Sequence, residues 1–420
     1  MEETAPRLHV CFVNVTSGIG GVERVAERHL THLDPARFRL SYAYTPFHGD
    51  EAHVARLRAA GVNIVPMENI LTLWSRGSSK PVSPAKKSAT RFWKKTVPAR
   101  LDEFVFHMRN VRRLTRVFES ALSKIAEPPA IFQLVAGDYF WMAAACRVCR
   151  KLFPSAKIKL HLGNPPVFLV PTFLERRAFR DADSVSFVSK DTRNAWEKKL
   201  GFTIGHARVI RTPVDTDAIP FVLREKTSAD APFVLLTSGR LSPIKGIDVA
   251  LRAVRTLREN GFNVVLWIAG TGPEEARLQD LVRELKLTDH VKFLGFVNDL
   301  TSIFSKVDFL LQPSTRTEGV PNSVLEAMAS GMPVIASRVG GVPELIAHRE
   351  TGILVDPGKP PQIVDAVAEL IRNPDLRTAI ARAASEHVRQ SYAVSIATAS
   401  LARLYESMAS GKPAAATQAF

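Results

Sequence analysis

Cysteine is scarce in this sequence, with 3 residues among 420. A disulfide framework therefore cannot support the fold, and the low number is typical of proteins in a reducing cytoplasm. Cys146 and Cys149 form a C-x-x-C pair, but a zinc site of this type needs a second pair, which the sequence lacks. We interpret both residues as buried thiols on a helix and expect no metal site.

Long apolar runs are also missing. A membrane-spanning helix needs about 18–20 apolar residues in succession, and the most apolar stretch, residues 130–146, is interrupted by Gln133 and Asp138. The opening residues, MEETAP, are acidic rather than basic, so we expect no secretory signal. We therefore predict a cytoplasmic protein, with peripheral binding at the inner face of a membrane left open.

Two common nucleotide-binding fingerprints are absent as well. Glycine clusters at residues 18–21 and 270–272 each follow a predicted strand, but Glu23 and Glu275 stand where G-x-G-x-x-G requires glycine. The pattern G-x-x-x-x-G-K-[ST] does not occur. Nicotinamide and flavin dehydrogenases are therefore disfavoured, although the backbone of either glycine turn can still bind a phosphate.

Acidic residues are outnumbered, because 56 Lys and Arg oppose 41 Asp and Glu and give a net charge of +15. Residues 71–116 alone hold 12 basic and 2 acidic side chains, with aromatic residues such as Trp74 and Trp93 between them. Basic residues beside aromatic ones suit an anionic membrane surface. A solvated loop and helix face is the alternative, and nucleic-acid binding is the least favoured interpretation.

What the sequence does contain is an alternation of short apolar runs with longer amphipathic segments, one of them a predicted helix at residues 244–260. Apolar strands separated by helices are typical of parallel sheets covered on both faces, so we predict a doubly wound α/β fold. The Pro- and Asp-rich stretch at 210–232 indicates a linker. We place one domain at 1–215, a second at 225–390, and a helix at about 392–410 packing back on the first.

The segment SGRLSPIKG ends the first predicted strand of the second domain. Arg240 and Lys245 lie five positions apart across a turn, so both cations can converge at the carboxyl end of the sheet. A planar guanidinium beside an ammonium is a pairing suited to a diphosphate. Two exposed surface cations are the alternative.

The segment TEGVPNSVLEAM follows a later strand and carries two carboxylates. Glu318 is predicted in the loop, and Glu326 lies two turns into a helix if that helix starts at Pro321. Free N–H groups are expected at this helix start. Carboxylates accept paired hydrogen bonds from sugar diols, so the two glutamates could hold two sugars at once. The residues that would present backbone N–H groups beside them are Gly319, Val320, Asn322 and Ser323.

Together these segments resemble the retaining glycosyltransferases of the GT-B fold, the large group 1 family. The resemblance lies in the order of Arg240 and Lys245, G-T-G-P at 270–273, the spacing of the two glutamates, and G-G-V-P-E at 340–344. It is dense over residues 232–372. It is thinner in the first domain, where GGVER at 20–24 is similar to the family's N-terminal loop.

The resemblance implies two Rossmann-like domains that face each other across a cleft, with the first on the acceptor side. It implies that Arg240 and Lys245 bind the diphosphate of a UDP- or GDP-sugar, that Glu326 holds the ribose and that Glu318 contacts the transferred sugar. No cofactor or metal is implied. The further donor-binding residues implied are Gly20, Gly21, Gly272, Phe296, Val297, Gly319, Val320, Asn322 and Ser323.

His161 ends a predicted strand of the first domain, where similar enzymes place a histidine near the anomeric centre. The expected function is transfer of a hexose-type sugar, with retention, to a glycan or lipid-linked acceptor in cell-surface polysaccharide or glycolipid synthesis. Two alternatives stay open: a sugar-nucleotide epimerase or phosphorylase of the same fold, and a basic polyanion-binding protein.

Overall fold

The computed structural model describes residues 6–15, 20–47, 49–68, 99–136, 140–166, 173–224, 231–316 and 318–412. Within them, apolar strands form two parallel sheets, and every strand runs alongside its neighbours in the same direction. The central strands of each sheet, such as Leu8–Asn14 and Phe309–Gln312, are buried, as is typical where helices cover both faces. The predicted doubly wound α/β fold is confirmed.

The first sheet has seven strands in the order β3-β2-β1-β4-β5-β6-β7. They are β1 (Leu8–Asn14), β2 (Phe38–Tyr44), β3 (Asn63–Pro66), β4 (Ile131–Ala136), β5 (Lys157–Leu162), β6 (Ser184–Phe187) and β7 (Ala207–Val209). The helices between them are α1 (Gly21–His32), α2 (Glu51–Ala59), α3 (Ala99–Leu122), α4 (Phe140–Leu152), α5 (Phe173–Asp181) and α6 (Lys190–Leu200).

The second sheet has six strands in the order β10-β9-β8-β11-β12-β13. They are β8 (Phe233–Ser238), β9 (Val264–Ala269), β10 (Val291–Gly295), β11 (Phe309–Gln312), β12 (Val334–Ser337) and β13 (Ile353–Val355). The helices are α7 (Ile247–Glu259), α8 (Glu275–Glu284), α9 (Thr301–Phe304), α10 (Asn322–Ala329), α11 (Val342–Leu345), α12 (Pro360–Arg372), α13 (Pro374–Tyr392) and α14 (Val394–Ser410).

The chain passes between the two sheets twice, at neighbouring points. The backbone N–H of Val214 donates to the carbonyl of Tyr392 at 2.8 Å, and that of Val394 donates to the carbonyl of Val214 at 2.7 Å. Helix α14 then lies on the first sheet, where Tyr405 is fully buried. Helix α14 therefore packs on the first sheet although it follows the second domain in the chain, and the residues between the two crossings build the second sheet.

The structure differs from the sequence analysis at two helices. The helix predicted at 244–260 begins only at Ile247, after a 3-10 turn at Pro243–Lys245. Gly246 separates them at a φ of 62°, where a Cβ would stand 2.0 Å from the carbonyl oxygen of Pro313. The sequence analysis did not predict helix α3. Its apolar residues, among them Val117 and Phe118, pack into the core, but many cations between them obscure the amphipathic pattern in the sequence.

Candidate active site

The centre of the candidate site is an ion pair between two strand ends of the second sheet. Lys245 follows β8, Glu318 follows β11, and Nζ of Lys245 lies 2.7 Å from Oε2 of Glu318. The two strands are neighbours and parallel, so their carboxyl ends meet at one edge. Both side chains keep some access to solvent, with 23% and 13% of their surfaces exposed.

The other carboxylate oxygen of Glu318 is held from its own strand. Oε1 accepts a hydrogen bond from the Ser314 hydroxyl and a longer one, 3.4 Å, from Nε2 of Gln312. The Gly340–Gly341 turn supports the same loop from behind, because the N–H of Gly341 lies 3.2 Å from the carbonyl oxygens of Glu318 and Gly319. The glutamate is therefore fixed by three separate segments.

The turn that carries Arg240 is held by the second glycine cluster. Leu241 exchanges backbone hydrogen bonds with Thr271 and Glu274 at 2.9 and 3.1 Å. A Cβ on Gly272 would stand 2.4 Å from the carbonyl oxygen of Leu241, so only glycine allows this approach. Close packing against Leu241 therefore explains why position 272 is glycine, and the donor-binding role of Gly272 stays a prediction. Arg240 itself is exposed, five positions before Lys245.

The first glycine turn meets the start of α10 across the cleft. The Asn322 side-chain amide donates to the carbonyl oxygen of Gly21 at 3.1 Å. The N–H of Gly20 donates to Oε2 of Glu23 at 2.6 Å, which fixes the beginning of α1. Gly319 and Val320 stand just before the N-terminus of α10, and Ser323 lies in its first turn. The structure thus brings these predicted donor-binding residues together.

The carboxylate of Glu326 forms an ion pair with a residue of the first domain. Its Oε1 accepts a charge-assisted hydrogen bond from Nη2 of Arg28, while Nη1 of Arg28 donates to the carbonyl of Pro213 at 2.9 Å. The glutamate side chain is only 3% exposed. The sequence analysis missed Arg28, although its position one turn after Arg24 on an amphipathic helix was a usable signal.

His161 lies near the carboxyl end of β5 and is buried. Its Nδ1 is 2.9 Å from the Ser186 hydroxyl on β6. Burial, with smaller contributions from Lys159 and His29, lowers the pKa of the ring well below its ordinary value, so the imidazole is neutral. Two residues later, the carbonyl oxygen of Gly163 lies against Gly319, where a Cβ would approach it to 2.0 Å. This contact brings the end of β5 next to the Glu318 loop.

Another contact across the cleft uses the predicted G-G-V-P-E segment. The carboxylate of Glu344 accepts hydrogen bonds from the N–H groups of Lys190 and Asp191, at 2.9 and 2.7 Å. These residues begin α6, so the carboxylate also meets the positive end of that helix. Burial, and secondly Glu344, raises the pKa of Asp191. The motif identified Glu344, but only the structure shows its partner.

Phe296 and Val297 follow β10 at the same edge of the second sheet. Phe296 is 60% exposed, whereas Val297 packs partly against the core under α10. An exposed aromatic ring beside a sheet edge is available for stacking on a planar ligand.

The remaining sequence interpretations concern metals, thiols and membranes. Cys146 and Cys149 are free thiols buried on α4, and burial raises the pKa of Cys146 to about 12. Within the described ranges, no group of three or more His, Cys, Asp or Glu side chains is placed to bind a metal ion. Among the helices of that same part of the chain, none combines the length and apolar character needed to cross a bilayer. Residues 71–98 of the basic segment lie outside the described residues.

Comparisons with known proteins agree with this geometry. Residues 220–387, which include Arg240, Lys245 and both glutamates, match the family described as glycosyl transferases group 1. Over 247 residues the chain is 30% identical to an alpha-D-kanosaminyltransferase of Streptomyces kanamyceticus, covering 56% of this chain and 63% of that protein. It is 32% identical over 228 residues to a GDP-mannose-dependent phosphatidylinositol monomannoside mannosyltransferase of Mycobacterium tuberculosis, covering 51% of this chain and 59% of that protein.

Solved structures show the same fold at low identity. Anabaena HepE in complex with UDP has a TM-score of 0.67 at 18% identity, covering 95% of this chain and all of that one. Sucrose-phosphate synthase of Thermosynechococcus elongatus has a TM-score of 0.70 at 17% identity, covering 97% of this chain and all of that one. The two-domain GT-B fold expected from the resemblance is confirmed.

Residues 220–387, in the second domain, therefore match the group 1 glycosyltransferase family that the motifs resemble. The matched region spans only 63% and 59% of the lengths of these two curated relatives. The activity of the whole chain is accordingly argued from its own site below.

Proposed function

We propose that this chain is a retaining glycosyltransferase that moves a hexose-type sugar from a UDP- or GDP-sugar to a glycan or lipid-linked acceptor. The observation that carries the proposal is the Lys245–Glu318 pair, which sets an ammonium and a carboxylate side by side at the cleft. A nucleotide sugar needs both, because its diphosphate is anionic and its sugar carries hydroxyl donors. The relatives' names point to glycan and glycolipid synthesis.

Transfer breaks the bond between the anomeric carbon and the leaving diphosphate, so positive charge develops on the sugar and negative charge on the phosphate. In our proposal, Lys245 and Arg240 stabilise the phosphate, and the N–H groups before α10 add to the positive field. Glu318 and the neutral His161 contact the sugar. Arg28 orients Glu326 toward the ribose from the other side of the cleft.

This arrangement places cations where the leaving group's charge develops, and we therefore propose that transfer needs no divalent metal. We expect the transfer rate to be unchanged when the enzyme is assayed with a strong chelator. A rate that falls with chelator and recovers with Mg²⁺ or Mn²⁺ would contradict the proposal.

The decisive test is calorimetric titration of the protein with UDP, GDP and ADP. We expect one nucleotide to bind, and Arg240→Ala to weaken that binding about 10–150-fold, since a charge-assisted hydrogen bond is worth about 1.5–3 kcal/mol. Arg252→Ala is the matched control, because Arg252 is exposed on α7 outside the site. If folded protein gives no heat of binding with any of the three nucleotides, the polyanion-binding alternative is favoured.

Product analysis then separates transfer from the other activities found on this fold. Incubation with the sugar nucleotide that binds should yield a new glycoside whose anomeric configuration matches that of the donor. An epimerised donor, or a free sugar phosphate, would favour the epimerase or phosphorylase alternative.

We also propose that the enzyme binds the inner face of a membrane through its basic segment. In its described part, Arg113 and Arg116 line a cavity of about 610 Å³ between α3 and the end of β3, which Lys124, just beyond the segment, also lines. Cations of this kind each gain about 1 kcal/mol near an anionic surface. Flotation with liposomes that contain anionic lipid should carry the protein upward, whereas neutral liposomes should not. No flotation with either would exclude membrane binding.

A further inference from the structure

A row of buried polar side chains crosses the first sheet beneath helices α1 and α14. Lys159 of β5 is in register with Gln133 of β4, and His161 is in register with Ser186 of β6. Lys159 and His161 are two residues apart on one strand and therefore share a face of the sheet. The row leads from Tyr405, whose hydroxyl donates to Oε1 of Gln133 at 2.6 Å, to His161 near the cleft.

Lys159 is the unusual member of this row, because a lysine ammonium is rarely buried without a carboxylate. The residue is fully buried, and its Nζ donates to Oε1 of Gln133 and to Oγ of Ser186, each at 2.8 Å. The titratable groups that face it are His29 of α1, Tyr405 of α14 and His161. Among the described residues no carboxylate forms an ion pair with it, and burial lowers its pKa to about 7.

The donors and acceptors of the row define where each proton lies. An ammonium can only donate, so the Ser186 oxygen accepts from Lys159 and the Ser186 proton must point elsewhere. The two atoms that could accept it are Nδ1 of His161 at 2.9 Å, if that nitrogen carries no proton, and the carbonyl oxygen of Leu160 at 3.4 Å. The shorter contact is the better hydrogen bond. Since the ring is neutral, an accepting Nδ1 leaves the proton on Nε2.

We propose that Lys159 is a positioning residue that acts through Ser186 to hold the proton of His161 on Nε2. His161 can then serve the cleft only as a hydrogen-bond donor toward a sugar oxygen, and not as a base. The consequence for catalysis rests on the proposed function, in which His161 contacts the sugar. The tautomer itself is a property of this row of residues and can be measured without any substrate.

The experiment is a long-range ¹H–¹⁵N correlation on protein labelled in histidine, which reads both ring nitrogens from carbon-bound protons. The chain has 11 histidines, so the His161 signals are assigned by their loss in His161→Gln. The spectrum is recorded near pH 6, on the charged side of the Lys159 pKa of about 7, where His161 is neutral. We expect Nε2 to show the shift of a protonated nitrogen and Nδ1 that of an unprotonated one.

Two variants test the route of the effect. Lys159→Met keeps a long side chain but removes the ammonium, and Ser186→Ala removes the hydroxyl between the two residues. Each should change the tautomer ratio of His161 toward a mixture or toward Nδ1–H. The matched control is Lys199→Met combined with Glu175→Gln, which removes a different buried lysine together with the charge of the carboxylate that it contacts at 2.5 Å. The control should leave the His161 signals unchanged.

Wild-type protein with its proton on Nδ1 would overturn the proposal, as would an Nε2–H tautomer that persists in folded Lys159→Met and Ser186→Ala. If Lys159→Met does not fold, the Ser186→Ala result decides. Loss of transfer activity is not used as evidence here, so a failure of the proposed function and a failure of this inference give different results.

Discussion

At the scale of single residues, Glu318 offers the sharpest test of the proposed chemistry. Its carboxylate is fixed by Lys245 and Ser314, so Glu318→Gln keeps the shape and removes the charge. We expect kcat to fall about 10–150-fold, the effect of losing one charge-assisted hydrogen bond of about 1.5–3 kcal/mol. Glu284→Gln, on the exposed face of α8, is the control and should retain the wild-type rate. Near-normal turnover in Glu318→Gln would remove the assigned role.

Lys159 predicts a pH dependence of folding stability. Its pKa is about 7 in the folded protein and about 10.4 when unfolded, so the unfolded chain binds more protons between these values. The free energy of unfolding should therefore gain a contribution as the pH rises from 7 toward 10, and that contribution is absent below 7. Urea denaturation should show a flatter profile in Lys159→Met than in the wild type. Lys124→Met, which removes an exposed lysine, should keep the wild-type slope.

At the scale of elements, the glycine turn before α11 holds the Glu318 loop. Gly340 has a φ of 57°, and a Cβ there would stand 1.8 Å from the carbonyl oxygen of Glu318. Gly358 is a matched control, since its φ is 70° and nothing lies within 4 Å of its Cβ position. Alanine at either position should cost about 1–2 kcal/mol for the left-handed backbone. Only Gly340→Ala should lose further stability and transfer activity, as measured by thermal unfolding and turnover.

At the scale of the whole molecule, Glu344 connects the two domains. Its carboxylate receives two backbone N–H groups at the start of α6, so Glu344→Gln removes a charge from a favourable helix end. We expect the two domains to separate more readily, with a larger radius of gyration in X-ray scattering and a higher KM for the donor. Glu350→Gln, at an exposed position nearby in sequence, should change neither. An unchanged radius of gyration would contradict this role of Glu344.

The sequence alone determined the parts of this protein that depend on neighbouring residues. The strand Phe233–Ser238 illustrates this, because a mostly buried parallel strand leaves a nearly continuous apolar run, here FVLL. The order of Arg240, Lys245 and Glu318 carried the resemblance to the family. Lys245 and Glu318 meet at one edge of the second sheet because β8 and β11 are parallel neighbours. Helix α3 escaped prediction because its charges outweighed its apolar stripe in sequence.

Only the tertiary structure decided what depends on residues far apart in the chain. Arg28 and Glu326 are separated by 298 positions, and no local pattern relates them. The route from Lys159 through Ser186 to His161 likewise exists only because β5 and β6 pair in one register. Hydrogen bonds and desolvation act over a few ångströms of space, whereas sequence patterns report only the periodicity of a single element. The sequence therefore determined which residues could form the site, and the packing of the two domains decided which of them are partners.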